Sequence, residues 1–178
     1  ALLDSRSYTG AYKFVIQPGK DTVVDVTMVI FCRKPVKRLG IAAMSSMYWF
    51  GENSNRRFDD PRPEVHDSDG LLVYKGTGEQ IWKPLSNDSL QLRLSSFQME
   101  KCRGFGLMQR DRSIPSYEDS EAVYHRRPSL WIEPTSEWGA GGVMLMEIPT
   151  RDEYLDNIVA LWEPKEQAKA GDRLEFHY

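Results

Sequence analysis

The stretch "HDSDGL" at 66–71 sets two carboxylates two residues apart, between a histidine and a glycine and ahead of an apolar run. A second acidic knot, "PTRDEYLDNIVALW" at 149–162, also ends against an apolar run. Such segments read as solvated turns, as metal loops, or as two halves of an acid/base site. In the last case one carboxyl gives a proton to a leaving oxygen, while the other, ionised, acts as base or nucleophile. The candidates are Asp67, Asp69, Asp119, Asp152, Glu153 and Asp156. Asp156 stands out because it directly precedes "NIVALW". At the mouth of a buried strand a carboxyl can be desolvated, which raises its pKa and lets it carry a proton near neutral pH. The competing reading is a strand-edge Asp making a turn hydrogen bond.

Other chemistries are less well supplied. HDSDG lacks the third oxygen ligand and the distal Glu of a calcium loop. His66, His125 and His177 form neither HxH nor HExxH, so no metal site is expected. There is no G-x-S-x-G, and neither cysteine has the local signature of a nucleophile. "GAGG" at 139–142 lacks the Lys-Ser/Thr of a phosphate loop and reads as a hairpin turn.

Aromatic residues supply the other half of a sugar site. Trp49, Trp82, Trp131, Trp138 and Trp162, with Tyr117 and Tyr124, offer apolar faces to pyranose rings, or else fill a core. "YHRRPSLWIEP" (124–134) gathers Tyr124, Arg126, Arg127, Trp131 and Glu133, a set that suits hydroxyl binding plus stacking, or a solvated rim. Glu147 interrupts the apolar "VMLMEIPT". An acid on a covered strand face needs a partner, so Glu147 reads as a sugar-binding group or as a structural ion pair with an arginine.

These groups have to be positioned by strands. "GAYKFVIQPGKDTVVDVTMVIFCRK" reads as two strands around Pro18-Gly19. Val24, Val26, Met28 and Ile30 share one face of the second, and Val23, Val29 and Phe31 weight the other, so both faces are expected to be partly covered. "IAAMSSMYWFG", "GLLVYKG", "EQIWKPL", "LQLRLSSF", "GFGLMQR", "SLWIEP", "GGVMLMEIP", "NIVALWEP" and "RLEFHY" follow, punctuated by Gly, Pro, Asn and Ser. Short strands with regular turn signals indicate an all-β sandwich or barrel. The one helical candidate is "DSEAVYHRR" at 119–127, and "GENSNRRFDDPRPEVHDSDG" at 51–70 reads as a long functional connection. The closing "DRLEFHY" alternates as a half-buried strand, and a chain that stops inside a strand is expected to be a segment of a longer protein.

The chain of 178 residues is sized for one domain, with 40% hydrophobic and 28% charged residues. No stretch approaches the about 18 apolar residues of a membrane-spanning helix. A net charge of −3 argues against a phosphate-tracking surface, so nucleic acid is not an expected partner. Cys32 and Cys102 form no zinc or CxxC spacing and read as a disulfide or as two buried thiols.

Taken together, "RPEVHDSDGL", "SSFQMEKCRGFGLMQRDR", "YEDSEAVYHRRPSLWIEP", "EWGAGGVMLMEIPT" and "DEYLDNIVALWEP" resemble the periplasmic glucan biosynthesis family called MdoG, OpgG or OpgD, and "HDSDGL" with "MQRDR" leans toward the OpgD-like branch. The resemblance runs over nearly the whole chain. It implies a galactose-mutarotase-like β-sandwich, of which residues 1–178 are expected to be the C-terminal part, without the immunoglobulin-like domain that follows in the family. It implies the periplasm as location, a β-1,2-glucan as partner, no cofactor and no membrane insertion, and it allows a homodimer. Some family members resemble inverting endo-β-1,2-glucanases. Carried over, the general acid falls on Asp156. The base falls on Asp67, with Asp69 as second choice and otherwise substrate-binding, and Tyr124 helps relay a proton through water. Arg127, Trp131 and Glu147 are then expected to hold sugar hydroxyls and rings. The alternative is a glucan-binding or scaffold protein without chemistry.

Overall fold

Pro18-Gly19 turns the chain between two ten-residue strands, Tyr8–Gln17 and Val23–Cys32, which pair antiparallel along their whole length. The computed structural model describes residues 1–54, 58–88 and 90–178. In chain order the strands are β1 Leu2–Asp4, β2 Tyr8–Gln17, β3 Val23–Cys32, β4 Ile41–Ser46, β5 Tyr48–Phe50, β6 Val65–His66 and β7 Gly70–Lys75. They continue as β8 Gln80–Pro84, β9 Arg93–Met99, β10 Cys102–Met108, β11 Leu130–Ile132, β12 Gly141–Glu147, β13 Ile158–Pro164 and β14 Arg173–His177. A single helical turn, α1 (Ile114–Tyr117), and a 3-10 turn at Tyr124–Arg126 are the helical pieces among the described residues.

The fold is all-β. Three four-stranded antiparallel sheets run β1-β2-β3-β14, β11-β10-β7-β8 and β4-β13-β12-β9, and β5-β6 form a separate pair. The period-two pattern sends one face of each sheet inward. Met28 and Ile30 come from the first sheet, Leu71, Val73, Phe105 and Leu107 from the second, and Val143, Leu145, Ala160 and Trp162 from the third. All belong to one buried cluster. A second, smaller core of Met47, Phe50, Val65, Tyr117 and Tyr124 lies under the acidic loops. Among the described residues no helix is long and apolar enough to cross a membrane.

Several expectations need correction. "IAAMSSMYWFG" is two strands. β4 pairs with β13, and after Met47 the chain leaves that sheet, so that β5 pairs with β6 instead. "GAGG" is no hairpin turn: Gly139 takes φ 72°, and Gly141 and Gly142 open β12, between β13 and β9. A Cβ on Gly141 would lie 2.5 Å from the Trp162 ring, so the strand needs glycine there for packing. The segment 119–127 forms only the 3-10 turn. The Asp119 carboxylate accepts from the backbone N–H groups of Glu121 and Ala122, a local alternative to helix, and Val123 sits at φ 51°. The outer face of β3 is also more open than expected, with Phe31 48% and Val23 51% exposed. Cys32 and Cys102 are both free and buried, and burial pushes both thiols up.

Candidate active site

Residues 66–70 link β6 to β7 and are pinned at both ends. The Asp67 N–H donates to Met47 O at 2.8 Å, and the Asp69 N–H donates to Met108 O at 2.8 Å. Between them the Ser46 and Ser68 hydroxyls share a buried hydrogen bond. Asp67 and Asp69 therefore serve different neighbours. Asp69 pairs with Arg110 (2.8 Å), whose guanidinium lies 4.2 Å over the Trp82 ring. Asp67 faces Arg127, with Nε 3.2 Å from Asp67 Oδ1. That contact is an ion pair by distance, but neither atom makes a hydrogen bond, because the N–H is not aimed at the oxygen. Burial pushes the Asp67 carboxyl up. Arg127 opposes this, and the charge of Asp156 adds to it.

Asp156 thus lies within electrostatic reach of Asp67, although they are far apart in sequence. It is exposed, and Ser45 Oγ donates to its Oδ2 at 2.8 Å. The desolvation expected of Asp156 falls on Asp67 instead. Asp156 stands just ahead of β13 but remains in solvent, and the chain becomes buried only at Asn157.

Asn157 fixes the geometry by imitating a strand. Its Oδ1 accepts from Tyr48 N (2.8 Å), and its Nδ2 donates to Tyr48 O and Ile148 O, each at 3.0 Å. Asn87 does the same one loop away, donating to Trp49 O and Thr150 O (2.9 Å each) and accepting from Thr150 N (3.0 Å). These amides satisfy backbone groups left over where β5 departs from its neighbours.

Tyr124 joins the cluster from the 3-10 turn. Its hydroxyl donates to Glu153 Oε2 at 2.9 Å, and Arg127 lies 5.3 Å from its ring centre. Burial, then the bond to Glu153, pushes the phenol far up, so it stays protonated. Arg62 gathers the remaining acids, binding Asp60 at 2.7 Å, Asp119 at 2.8 Å and Glu153 at 2.9 Å. Asp60 is held below its ordinary range chiefly by the Arg62 bond. Burial pushes Asp119 up, but the Arg62 bond and two backbone N–H bonds bring it down overall. Against Arg62 lies a cavity of about 520 Å³, with Phe50, Phe58, Asp60 and Ser116 in its wall.

Asp67, Asp156, Tyr124 and Arg127 are thus brought together, whereas Glu147 and Trp131 stand elsewhere. Glu147, 2% exposed, accepts from Ser86 N (2.8 Å) and has Lys83 at 3.6 Å and Arg93 at 3.9 Å, the ion-pair arrangement. Trp131 lies on the outer face of β11, over Gly104 and Gly106 and edge-on to Tyr74. Sequence reasoning missed Arg62 and Ser45 and gave Glu153 no role. "DDPRPE" held a signal for Arg62, since an arginine two residues after an aspartate folds back on it in a tight turn.

The whole chain, residues 1–178, matches the family described as "Periplasmic glucan biosynthesis protein, MdoG". The chain belongs to the MdoG family. Among curated MdoG-family relatives, it is 51% identical to the "Probable glucans biosynthesis protein D" of Shewanella oneidensis, with 100% of this chain and 33% of that protein aligned. It is 49% identical to the "Glucans biosynthesis protein G" of Bradyrhizobium diazoefficiens (100% and 35%) and 51% identical to that of Pseudomonas paraeruginosa (100% and 34%). D and G proteins match equally well, so identity does not assign this MdoG chain to either branch. The chain spans about a third of the length of these relatives.

Proposed function

We propose that this segment carries the acid pair of a periplasmic glucan hydrolase that cleaves a β-1,2-glucan with inversion. The observation that supports it most is the Asp67 carboxylate. Its Oδ1 is buried, accepts no hydrogen bond, faces Arg127 and feels Asp156 across the cluster. A general base needs such a free lone pair.

In this reading Asp156, protonated, gives its proton to the glycosidic oxygen as the bond to the anomeric carbon breaks. Water attacks that carbon from the opposite face and loses a proton to Asp67. Tyr124 connects water to the base. Its hydroxyl hydrogen points to Glu153, so its oxygen is free to accept from water, and a relay to Asp67 requires the hydroxyl to rotate. Arg127 opposes the upward push of burial on Asp67. Exposure of Asp156 fits an acid that acts on a substrate arriving from solvent and leaves its desolvation to the bound glucan.

The burial of Asp67 favours a second reading with the roles exchanged, in which Asp67 holds the proton and Asp156 activates water. Azide separates the two. A variant lacking the base accepts azide as nucleophile, and the ion displaces the leaving glucan to give an inverted glycosyl azide, whereas a variant lacking the acid does not. Shortening of linear β-1,2-glucan is followed by product size, because a glycosyl azide carries no reducing end, for the protein, Asp156→Asn and Asp67→Asn, each with and without azide. Turnover lost in both variants and restored by azide only in Asp67→Asn supports the first assignment. Restoration only in Asp156→Asn supports the exchange. No turnover by the unmodified protein, with tight glucan binding retained in Asp156→Asn, replaces both with a scaffold that binds glucan.

A further inference from the structure

His66, directly before Asp67, is 1% exposed, and both of its ring nitrogens are engaged. Nδ1 lies 2.8 Å from Gln109 Oε1, and Nε2 lies 2.8 Å from Glu64 Oε2. The orientation of the Gln109 amide is fixed. Its Nε2 donates to the carbonyls of His66 (3.0 Å) and Tyr124 (3.2 Å), and a flipped amide would set its oxygen against both. Gln109 Oε1 therefore faces the ring and can only accept, so Nδ1 carries a hydrogen. A carboxylate also only accepts, so a second hydrogen lies between Nε2 and Glu64. Without it, two acceptors would face each other at 2.8 Å, with a carboxylate only 7% exposed.

We infer that Glu64, His66 and Gln109 form a positioning relay for the acid cluster, which holds one proton shared between Glu64 and His66 and, through Gln109, clamps the backbone beside Asp67 to the backbone of Tyr124. The effect of the relay on chemistry passes through Asp67 and Tyr124. The effect on turnover rests on the hydrolytic reading, whereas the shared proton and the clamp do not.

Tyr48 stacks on the ring (5.3 Å, 14°), and Tyr117 meets it edge-on (5.3 Å). Among the described residues, charged groups near the relay include Asp67, next in the chain, and Asp111 and Arg112 ahead of α1, whose charges act on Tyr117. Glu52, Asp69 and Asp88 act with Glu64 on Tyr48. Glu64→Gln supplies an amide N–H in place of the shared proton.

The test counts protons first. In histidine-labelled protein at neutral pH, 15N NMR is expected to find hydrogen on Nδ1 of His66 and a second one on Nε2 or shared with Glu64; in Glu64→Gln only the Nδ1 hydrogen remains. A single hydrogen in the unmodified protein overturns the inference without any variant having to fold. The clamp is read by hydrogen exchange at the amides of Asp67 and Arg127, which quickens in Gln109→Leu; unchanged exchange there overturns it. On β-1,2-glucan, Gln109→Leu is expected to lose about ten- to a hundredfold in kcat with little change in KM. If the unmodified protein shows no turnover, the hydrolytic reading falls, and the proton count and exchange rates still decide the relay.

Discussion

Arg127 Nε lies 3.2 Å from Asp67 Oδ1, yet neither atom is hydrogen-bonded. The guanidinium gives Asp67 its charge without occupying its lone pair. A direct hydrogen bond would hold the carboxylate more firmly and blunt it as an acceptor. The same contact leaves Asp67 unevenly compensated, since burial and Asp156 outweigh Arg127 and its carboxyl sits above its ordinary range.

That strain has a signature in stability. A carboxyl raised in the folded state contributes stability that is fully present below the unfolded pKa and is lost as pH rises through the folded one. Asp67→Asn is therefore expected to melt at a higher temperature than the unmodified protein at pH 7, with the difference vanishing near pH 3. A lower melting temperature at pH 7 would show that Asp67 is held by bonds rather than strained.

Removing the opposing charge should sharpen the effect. In Arg127→Met the Asp67 carboxyl is expected to climb further, which moves the range where it is ionised to higher pH. Titration of the carboxyl carbon by 13C NMR reads this directly. A midpoint that stays put or falls would mean that Arg127 acts on another group.

Arg62 is a different case, because it pairs with Asp60, Asp119 and Glu153 at once, with its own side chain only 18% exposed. Arg62→Leu is expected to cost about 3 kcal/mol at pH 7 in urea unfolding. Asp60 and Asp119 are held low, so their contribution exists above the unfolded aspartate pKa and is lost as pH falls through the folded values. The deficit should shrink below pH 4. A loss that is equal at both pH values would point to packing instead.

On the second sheet, a Cβ at Gly104 would come within 2.3 Å of the Trp131 ring and 3.0 Å of Ile132 O. Gly104→Ala should lift the indole off the strand and cost about 1–3 kcal/mol. Tryptophan emission that shifts to the red would accompany it, and unchanged emission would mean that the strand gives way instead of the ring.

Much of the fold was legible. Alternation at Val26, Met28 and Ile30 and at Leu174 and Phe176 named strands that do pair, β3 with β14. Pro18-Gly19 named its turn. The reading failed where side chains replace backbone: Asp119 satisfies the amides that a helix would have used, and Asn157 satisfies those freed where β5 leaves its sheet. Neither substitution leaves a period in the sequence. At the site, Asp67, Tyr124 and Arg127 were named together by the family resemblance and not by residue types alone, and the burial considered for Asp156 belongs to Asp67. Strand position predicts the face a residue takes, whereas the depth of a carboxyl depends on loops that arrive from elsewhere in the chain. Arg62 was passed over for the same reason, since two of its three partners lie 57 and 91 residues away.

Asn157 adjoins Asp156 and is bonded to Tyr48, whose neighbour Met47 receives the Asp67 amide. The gauge between the two acids is therefore made of uncharged bonds. Salt that screens the partly exposed Arg127 side chain leaves that gauge as it is. Ionic strength can then change how strongly Asp67 holds its charge without changing where the acids stand.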